Sequence, residues 1–247
     1  MHSLLLALTA LLNNAFGAPV TALLYKLGIH PLHPRAPISN EFTLELVVGA
    51  VMVLFFIAVR ATLNVEKPGS LQHLAEMVYD FVDEQAQSVM AEHGYEKHIP
   101  FVTTILLFVL LCNVLGLLPG IPTPTASTVV PLGIAAVTFI YFNYQGVRAQ
   151  GPIGYFKHFL GPVIWISPLM LPIEIISNLT RIMSLTVRLY ANMFASDLLT
   201  LVFFSMIPVG IPVIFLALHF GVALIQAYVF MLLTMIYLAE ATAVESH

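Results

Sequence analysis

Six residues able to carry charge or hydrogen bonds recur along one apolar stretch: Glu174, Ser177, Arg181, Ser184, Arg188 and Asn192, spaced 3, 4, 3, 4 and 4. On a helix that spacing draws one continuous stripe down a single face. Further on, His219, Gln226 and Tyr237 share a face at offsets of 7 and 11, while Asp197, nine residues after Arg188, points roughly away from the stripe. An arginine keeps its proton under all ordinary conditions, so Arg188 cannot shuttle one. A fixed cation does other work. It attracts an anionic group, repels cations that would pass straight through, and drives a carboxylic acid brought beside it toward its ionised form. Groups that can bind or pass protons flank it, Glu174 on one side and Asp197 with His219 on the other. The pattern is that of two ion paths kept apart by a permanent positive charge.

The stretches that carry these residues are too long for a simple crossing. From Pro168 to Met206 no strong breaker follows Pro172, and a helix of that length reaches about 55–60 Å. The stretch from Pro212 to Ala241 reaches about 45 Å. A membrane core is about 30 Å thick. Neither stretch holds a polar hairpin near its middle, so a pair of strongly tilted helices (168–206 and 212–241) is expected, joined by the turn signal Ile207-Pro208-Val209-Gly210-Ile211-Pro212.

The whole chain fits a bilayer. Of 247 residues, 59% are hydrophobic and 9% charged, and mean hydropathy is +0.94. A soluble domain carries about 25% charged residues. Nine Lys and Arg against 13 Asp and Glu leave a net charge of −4, which offers nucleic acid no basic footprint. The single cysteine, Cys112, excludes a disulfide framework and a cysteine-based metal site. The fold class is therefore an all-α polytopic membrane protein forming a single membrane domain. Spans are expected at 44–63, 100–120 and 128–147, ahead of the tilted pair.

Residues 70–93 differ. Leu71, Leu74, Met77, Val78, Phe81, Val82, Val89 and Met90 alternate at helical spacing with His73, Glu76, Asp80, Asp83, Glu84 and Gln87. That is an amphipathic helix for the membrane surface or a packing partner, and its acidic polar face suits protein as well as headgroups. Residues 1–43 are read as an apolar interfacial segment. The small residues of AFGAPV suit signal cleavage, but the start lacks Lys and Arg, which favours a retained helix. Arg60, Lys67, Lys97, Arg148 and Lys157 mark cytoplasmic segments, and the loops at 121–127 and 207–212 carry no Lys or Arg. The N-terminus is thus expected outside and the C-terminus in the cytoplasm, although Lys26 and Arg35 run against the first.

An arginine in mid-membrane costs at least about 2.5–3.5 kcal/mol, so two on one stripe need partners. Glu174, seven residues before Arg181, is the expected partner of that arginine. Arg188 has no carboxylate within a turn, so its counter-charge must come from another helix or another protein.

The run Ser184-Leu185-Thr186-Val187-Arg188-Leu189-Tyr190-Ala191-Asn192-Met193-Phe194-Ala195 resembles the signature S-L-x-x-R-L-x-x-N-M-x-A of subunit a of F-type ATP synthases. Asn113-Val114-Leu115-Gly116-Leu117-Leu118-Pro119-Gly120 with Pro122-Thr123-Pro124-Thr125-Ala126 is similar to a second segment of that family. His219, Gln226-Ala227, Phe230, Leu233-Thr234 and Tyr237-Leu238 are similar to its last helix. Only about the first 40 residues carry no such pattern.

The resemblance implies a static ion-translocating subunit beside a rotating ring of c subunits. It has no cofactor and no catalysis of its own, and its partners are the c-ring, peripheral-stalk b subunits and the rest of the synthase in a bacterial inner membrane. It assigns Arg188 to the ring carboxylate, with Asn192 and Gln226 as polar neighbours. Asp197, His219 and Asn113 fall to the outer half-channel; Asp is shorter than the Glu of some members and leaves room for a bridging water. Glu174, Ser177, Arg181 and Ser184 fall to the cytoplasmic half-channel. Two other classes compete. A secondary transporter often has internal repeats and broken helices, which the sequence lacks. An intramembrane hydrolase needs an activated nucleophile, and none stands out.

Overall fold

The computed structural model describes residues 2–26, 28, 36–64, 69–90, 94–118, 121–160, 167–206 and 211–242. The expected turn at 207–210, Pro119-Gly120, and the basic residues Arg35 and Lys67 lie outside the described residues, as does the side chain of Lys157. The described residues are all-α: α1 (His2–Lys26), α2 (Asn40–Ala61), α3 (Ser70–Met90), α4 (Ile99–Leu115), α5 (Val129–Leu160), α6 (Ser167–Met206) and α7 (Ile211–Thr242). Short 3-10 turns at Tyr95–His98 and Pro124–Ala126 precede α4 and α5. Six of the helices, all but α3, contain stretches long and apolar enough to cross a membrane.

Local sequence explains where the helices begin and bend. Ser39 caps α2, its hydroxyl accepting from the Phe42 amide. Pro100 starts α4, where a missing amide hydrogen costs nothing. Helix α5 runs past the expected end of its span and kinks at Gly151, whose φ of 76° favours glycine. Gly151-Pro152 is the first Gly-Pro pair within α5, and the lone Gly146 does not break the helix, so the polar run Gln145–Gln150 stays helical. Beyond the kink, the Tyr155 hydroxyl donates to Asn143 Oδ1 at 2.8 Å. Gln150 Nε2 donates to the Ala241 carbonyl at 3.2 Å, tying α5 to the end of α7.

Gly146 makes this closure fit. A Cβ there would stand 2.5 Å from the Tyr155 ring and 2.9 Å from the Ala241 carbonyl. Gly146→Ala is therefore expected to destabilise the chain by about 1–3 kcal/mol, despite alanine's better helix propensity. A lower melting temperature of the purified complex checks this, and an unchanged or raised one contradicts it.

Helix α7 is central and packs against α3, α4, α5 and α6. Lipid tails give apolar helices no hydrophobic drive to associate, so close packing must hold them. Ala223 and Ala227 are buried and small enough for close approach, followed one turn apart by buried Met231 and Met235. Opposite them, α6 buries Leu185, Leu189 and Met193, at four-residue spacing. Val102, Ile105, Leu106 and Val109 of α4 complete the core.

Helix α3 adds its C-terminal half to this bundle, burying Val82, Ala86 and Met90, while Leu71, Leu74, Met77 and Phe81 remain exposed. The bundle is thus one partner of the amphipathic helix, and an apolar strip is left for a membrane surface. Helix α1 meets the start of α2 through Thr9 Oγ1 donating to Thr43 Oγ1 at 3.1 Å and through Asn13, which bonds both backbone groups of Ile38.

Both long C-terminal segments are continuous helices, of 40 and 32 residues. Pro172 sits early in α6, and no break divides either helix into two crossings. The apolar stretch of α6 runs Leu169–Met206 and that of α7 Val213–Thr242, so a core of about 30 Å accommodates them only when they are steeply inclined.

Candidate functional site

Helices α6 and α7 form an antiparallel pair whose facing side chains make a ladder. Phe203 stacks on Phe215, with centroids 4.0 Å apart. Asp197 Oδ1 stands 3.7 Å from His219 Nδ1. Asn192 Nδ2 donates to Gln226 Oε1 at 2.8 Å. The Arg181 guanidinium lies over the Tyr237 ring at 5.0 Å, a cation–π contact. The shared face expected for His219, Gln226 and Tyr237 is therefore the face that meets α6.

In this register Arg188 falls opposite Phe230, which is buried and whose ring offers no hydrogen-bond acceptor. Arg188 is half-buried and has no hydrogen bond or ion pair among the described residues. It stands about 10 Å along the axis from Arg181 and about 14 Å from Asp197. Leu185, Leu189 and Met193 anchor the buried side of α6, and Arg188 is turned about 100° from Leu189. Val187, beside Arg188, and Leu198 and Ile225 further along are exposed, so the open side of the pair is largely apolar.

A second cluster lies at the Asp197 end. The Thr123 hydroxyl donates to Asp197 Oδ1 at 2.8 Å. Two residues on, the Thr125 hydroxyl donates to Asn113 Oδ1 at 2.6 Å. Thr123, Thr125, Asn113 and His219 are all buried. Gly116 allows this approach, because a Cβ there would overlap the Thr123 side chain. Asn113 Nδ2 and His219 Nε2 are buried without a hydrogen-bond partner among the described residues. The 3.7 Å between Asp197 and His219 exceeds a direct hydrogen bond, so the two interact by charge or across a water.

The opposite end differs from expectation. Arg181 pairs with Glu240 of α7, Nη2 to Oε1 at 2.6 Å, and not with Glu174. Seven residues separate Glu174 and Arg181 by about 10 Å along a straight helix, whereas the antiparallel partner brings Glu240 into contact. Glu174 Oε1 instead accepts from Asn178 Nδ2 at 3.3 Å. The Ser184 hydroxyl donates back to the Arg181 carbonyl, and Ser177 is half-buried on the same face.

Three contributors escaped the sequence reading in these contacts. Thr123 and Thr125 lie in a proline-rich turn with no periodicity to mark an inward face; only the repeated Pro-Thr pairs hint at them. Glu240 looked like a chain-end charge, and its signal was its position three residues after Tyr237 on an already polar face.

An all-α polytopic membrane protein that aligns charged and polar side chains between two overlong helices belongs to the class that moves ions across a bilayer. Comparison with known proteins gives that class a family. The family profile described as "ATP synthase A chain" matches residues 42–239. "ATP synthase subunit a" of Koribacter versatilis is 52% identical over 235 residues, covering 95% of this chain and 96% of that protein. The protein of the same description from Solibacter usitatus is 42% identical over 219 residues, covering 88% of this chain and 94% of that one. A Campylobacter jejuni relative is 39% identical over 210 residues, covering 84% and 93%. The chain belongs to the ATP synthase subunit a family. It is a multi-pass integral membrane protein and a non-catalytic component of the rotary ATPase, assembled with the other subunits, and its role is proton translocation coupled to c-ring rotation.

Proposed function

We propose that Arg188 is the fixed cation that separates two half-channels and meets the ionised carboxylate of each c subunit in turn. The observation that carries this reading is the missing partner. Asp197, Asn192 and Arg181 each meet a polar side chain of α7, while among the described residues Arg188 has no such partner and lies level with Phe230 beside an open apolar side. A half-buried guanidinium with no acceptor is costly, and a carboxylate arriving from another protein removes that cost. Asn192 and Gln226, bonded to each other one turn away, hold the polar neighbourhood in place.

The outer half-channel then consists of Asn113, Asp197 and His219. Unpartnered buried polar atoms on Asn113 and His219 suit a hydrated path, since buried polar groups are ordinarily hydrogen-bonded to protein or water. The cytoplasmic half-channel consists of Glu174, Ser177, Arg181 and Ser184, with Glu240 neutralising Arg181 so that Arg188 is left as the cation of α6 without a carboxylate among the described residues.

A proton entering past Asp197 and His219 neutralises a ring carboxylate, which can then face lipid, where an ionised one would be too costly. After nearly a full turn the site reaches the cytoplasmic path, and Arg188 favours its ionised form. The membrane field supplies about 2.3 kcal/mol per charge per 100 mV, and offset paths turn that vertical drop into lateral motion.

The proposed partners are the c-ring proteolipids, the peripheral-stalk b subunits and the rest of the synthase. The proposed location is the bacterial inner membrane, with the N-terminus and its apolar interfacial segment outside and the C-terminus in the cytoplasm.

Two experiments test this reading, both in a Cys112→Ala background. Exposed Val187→Cys, combined with a cysteine introduced beside the single buried carboxylate of the ring's small two-helix proteolipid, is expected to form a disulfide on oxidation, and buried Leu185→Cys with the same ring cysteine is not. A Val187→Cys subunit that never cross-links to the ring counts against the interface. For orientation, Thr128→Cys is expected to react with an impermeant maleimide from outside and Ala149→Cys from the cytoplasm. The reverse pattern would overturn the topology.

A further inference from the structure

A groove of about 470 Å³ lies far from the α6–α7 ladder, between α2 and α4. Its walls are apolar side chains, among them Met52, Val53, Phe56 and Phe108. Gly49 opens one end, and a Cβ there would have no atom within 4 Å. Arg60 closes the other end. The one wall hydroxyl, that of Thr104, already donates to its own helix at Pro100. Val53, Phe56 and Ile57 are exposed, so the groove opens sideways into the surrounding hydrocarbon.

Charge gives the groove a direction. Arg60, in the last turn of α2, is exposed and has no hydrogen bond or ion pair among the described residues. Beyond the opposite end, Glu41 and Glu45 place carboxylates near the start of the same helix. From Gly49 to Arg60 the helix rises about 16 Å, and one leaflet of a core about 30 Å thick measures about 15 Å. A straight apolar trough one leaflet deep, with a cation at interface level, matches a lipid acyl chain below an anionic headgroup. A transmembrane helix about 10 Å across and spanning the same length would occupy well over 470 Å³.

We propose that this groove binds one anionic phospholipid, its acyl chain along Met52, Val53, Phe56 and Phe108 and its phosphate on Arg60. The guanidinium fork suits a phosphate and forms charge-assisted bonds with it. The carboxylates of Glu41 and Glu45 disfavour the reverse orientation. The site makes no demand on the ion path, so it is independent of the roles proposed for Arg188 and its neighbours.

The test uses the complete synthase complex, delipidated and returned to nanodiscs of phosphatidylglycerol or phosphatidylcholine. Each lipid carries a photoactivatable group near the end of one acyl chain. Phosphatidylglycerol is expected to label α2 and α4 near Gly49 and Phe108, in preference to phosphatidylcholine. Arg60→Gln should weaken phosphatidylglycerol labelling roughly five- to tenfold and leave phosphatidylcholine unchanged. Gly49→Leu, which enters open space, should abolish labelling by both while the complex still assembles. Equal labelling by the two lipids in the unaltered complex, or labelling insensitive to both substitutions, would overturn the proposal. So would a photocross-link from a benzophenone maleimide on Val53→Cys to another subunit, because a protein helix would then fill the groove.

Discussion

Replacing Arg188 with alanine is expected to abolish ATP-driven proton pumping while the complex still assembles. The second half of that expectation follows from the packing. Arg188 has no acceptor within the described chain, and its neighbours Leu185, Leu189 and Met193 supply the buried contacts of α6. Alanine removes no internal hydrogen bond and relieves the cost of a half-buried charge, so α6 should pack as before. The first half follows from the missing rung. Removing one member of a buried charge pair costs about 2–5 kcal/mol, or roughly 30- to several-thousandfold in the equilibrium that ionises the ring carboxylate. Without the cation, nothing favours proton release on one side of the contact over the other. Arg188→Lys restores charge but not the length or the planar fork, so it should recover at most a small fraction of pumping. Dye-quenching assays on inverted membranes measure the pumping, and subunit stoichiometry of the purified complex measures assembly. Normal coupling in Arg188→Ala would refute the separator role, and loss of the assembled complex would make the residue structural.

The stripe behind that proposal could be read early because a helix writes its faces into sequence spacing. The stripe from Glu174 to Asn192 and the offsets of His219, Gln226 and Tyr237 needed only the 3.6-residue period, and helix length alone required two overlong segments. What periodicity could not supply was the register between the two helices. Arg181 therefore seemed to belong to Glu174 on its own helix, whereas the antiparallel pairing gives it Glu240 at 2.6 Å. The proline and glycine of residues 207–210 announce a turn in the sequence without telling the register across it. The same limit hid Thr123 and Thr125. A short turn between α4 and α5 has no repeating face, so its inward hydroxyls emerge only once Gly116 lets the turn close on Asp197 and Asn113. The α5 kink coincides with Gly151-Pro152 in the sequence, and the helix that holds the expected span at 128–147 continues beyond it through the polar run.

The second large effect is expected at Asp197. Asp197→Ala should slow passive proton uptake roughly a hundred- to a thousandfold, in the lower range of what a positioned proton carrier contributes. Coupling should persist in the turnover that remains, because Arg188 still blocks the direct path. The carboxylate has two candidate duties. It accepts a hydrogen bond from Thr123, which could simply hold the turn, and it stands 3.7 Å from His219, a gap that one bridging water would turn into a proton path. Thr123→Val separates them, removing the hydrogen bond while keeping the carboxylate and most of the side-chain volume. If Asp197 only anchors the turn, Thr123→Val and Asp197→Ala should slow uptake equally. If it carries protons, Asp197→Ala should be far the slower, and Asp197→Glu should retain most of the rate. Histidine is the side chain whose charge changes between about pH 5 and 8, so His219→Ala should alter the pH dependence of uptake as well as its rate. Membranes stripped of the catalytic sector and driven by a potassium diffusion potential give these rates. A pH profile unchanged in His219→Ala, with equal slowing in Thr123→Val and Asp197→Ala, would reduce the cluster to a structural clasp.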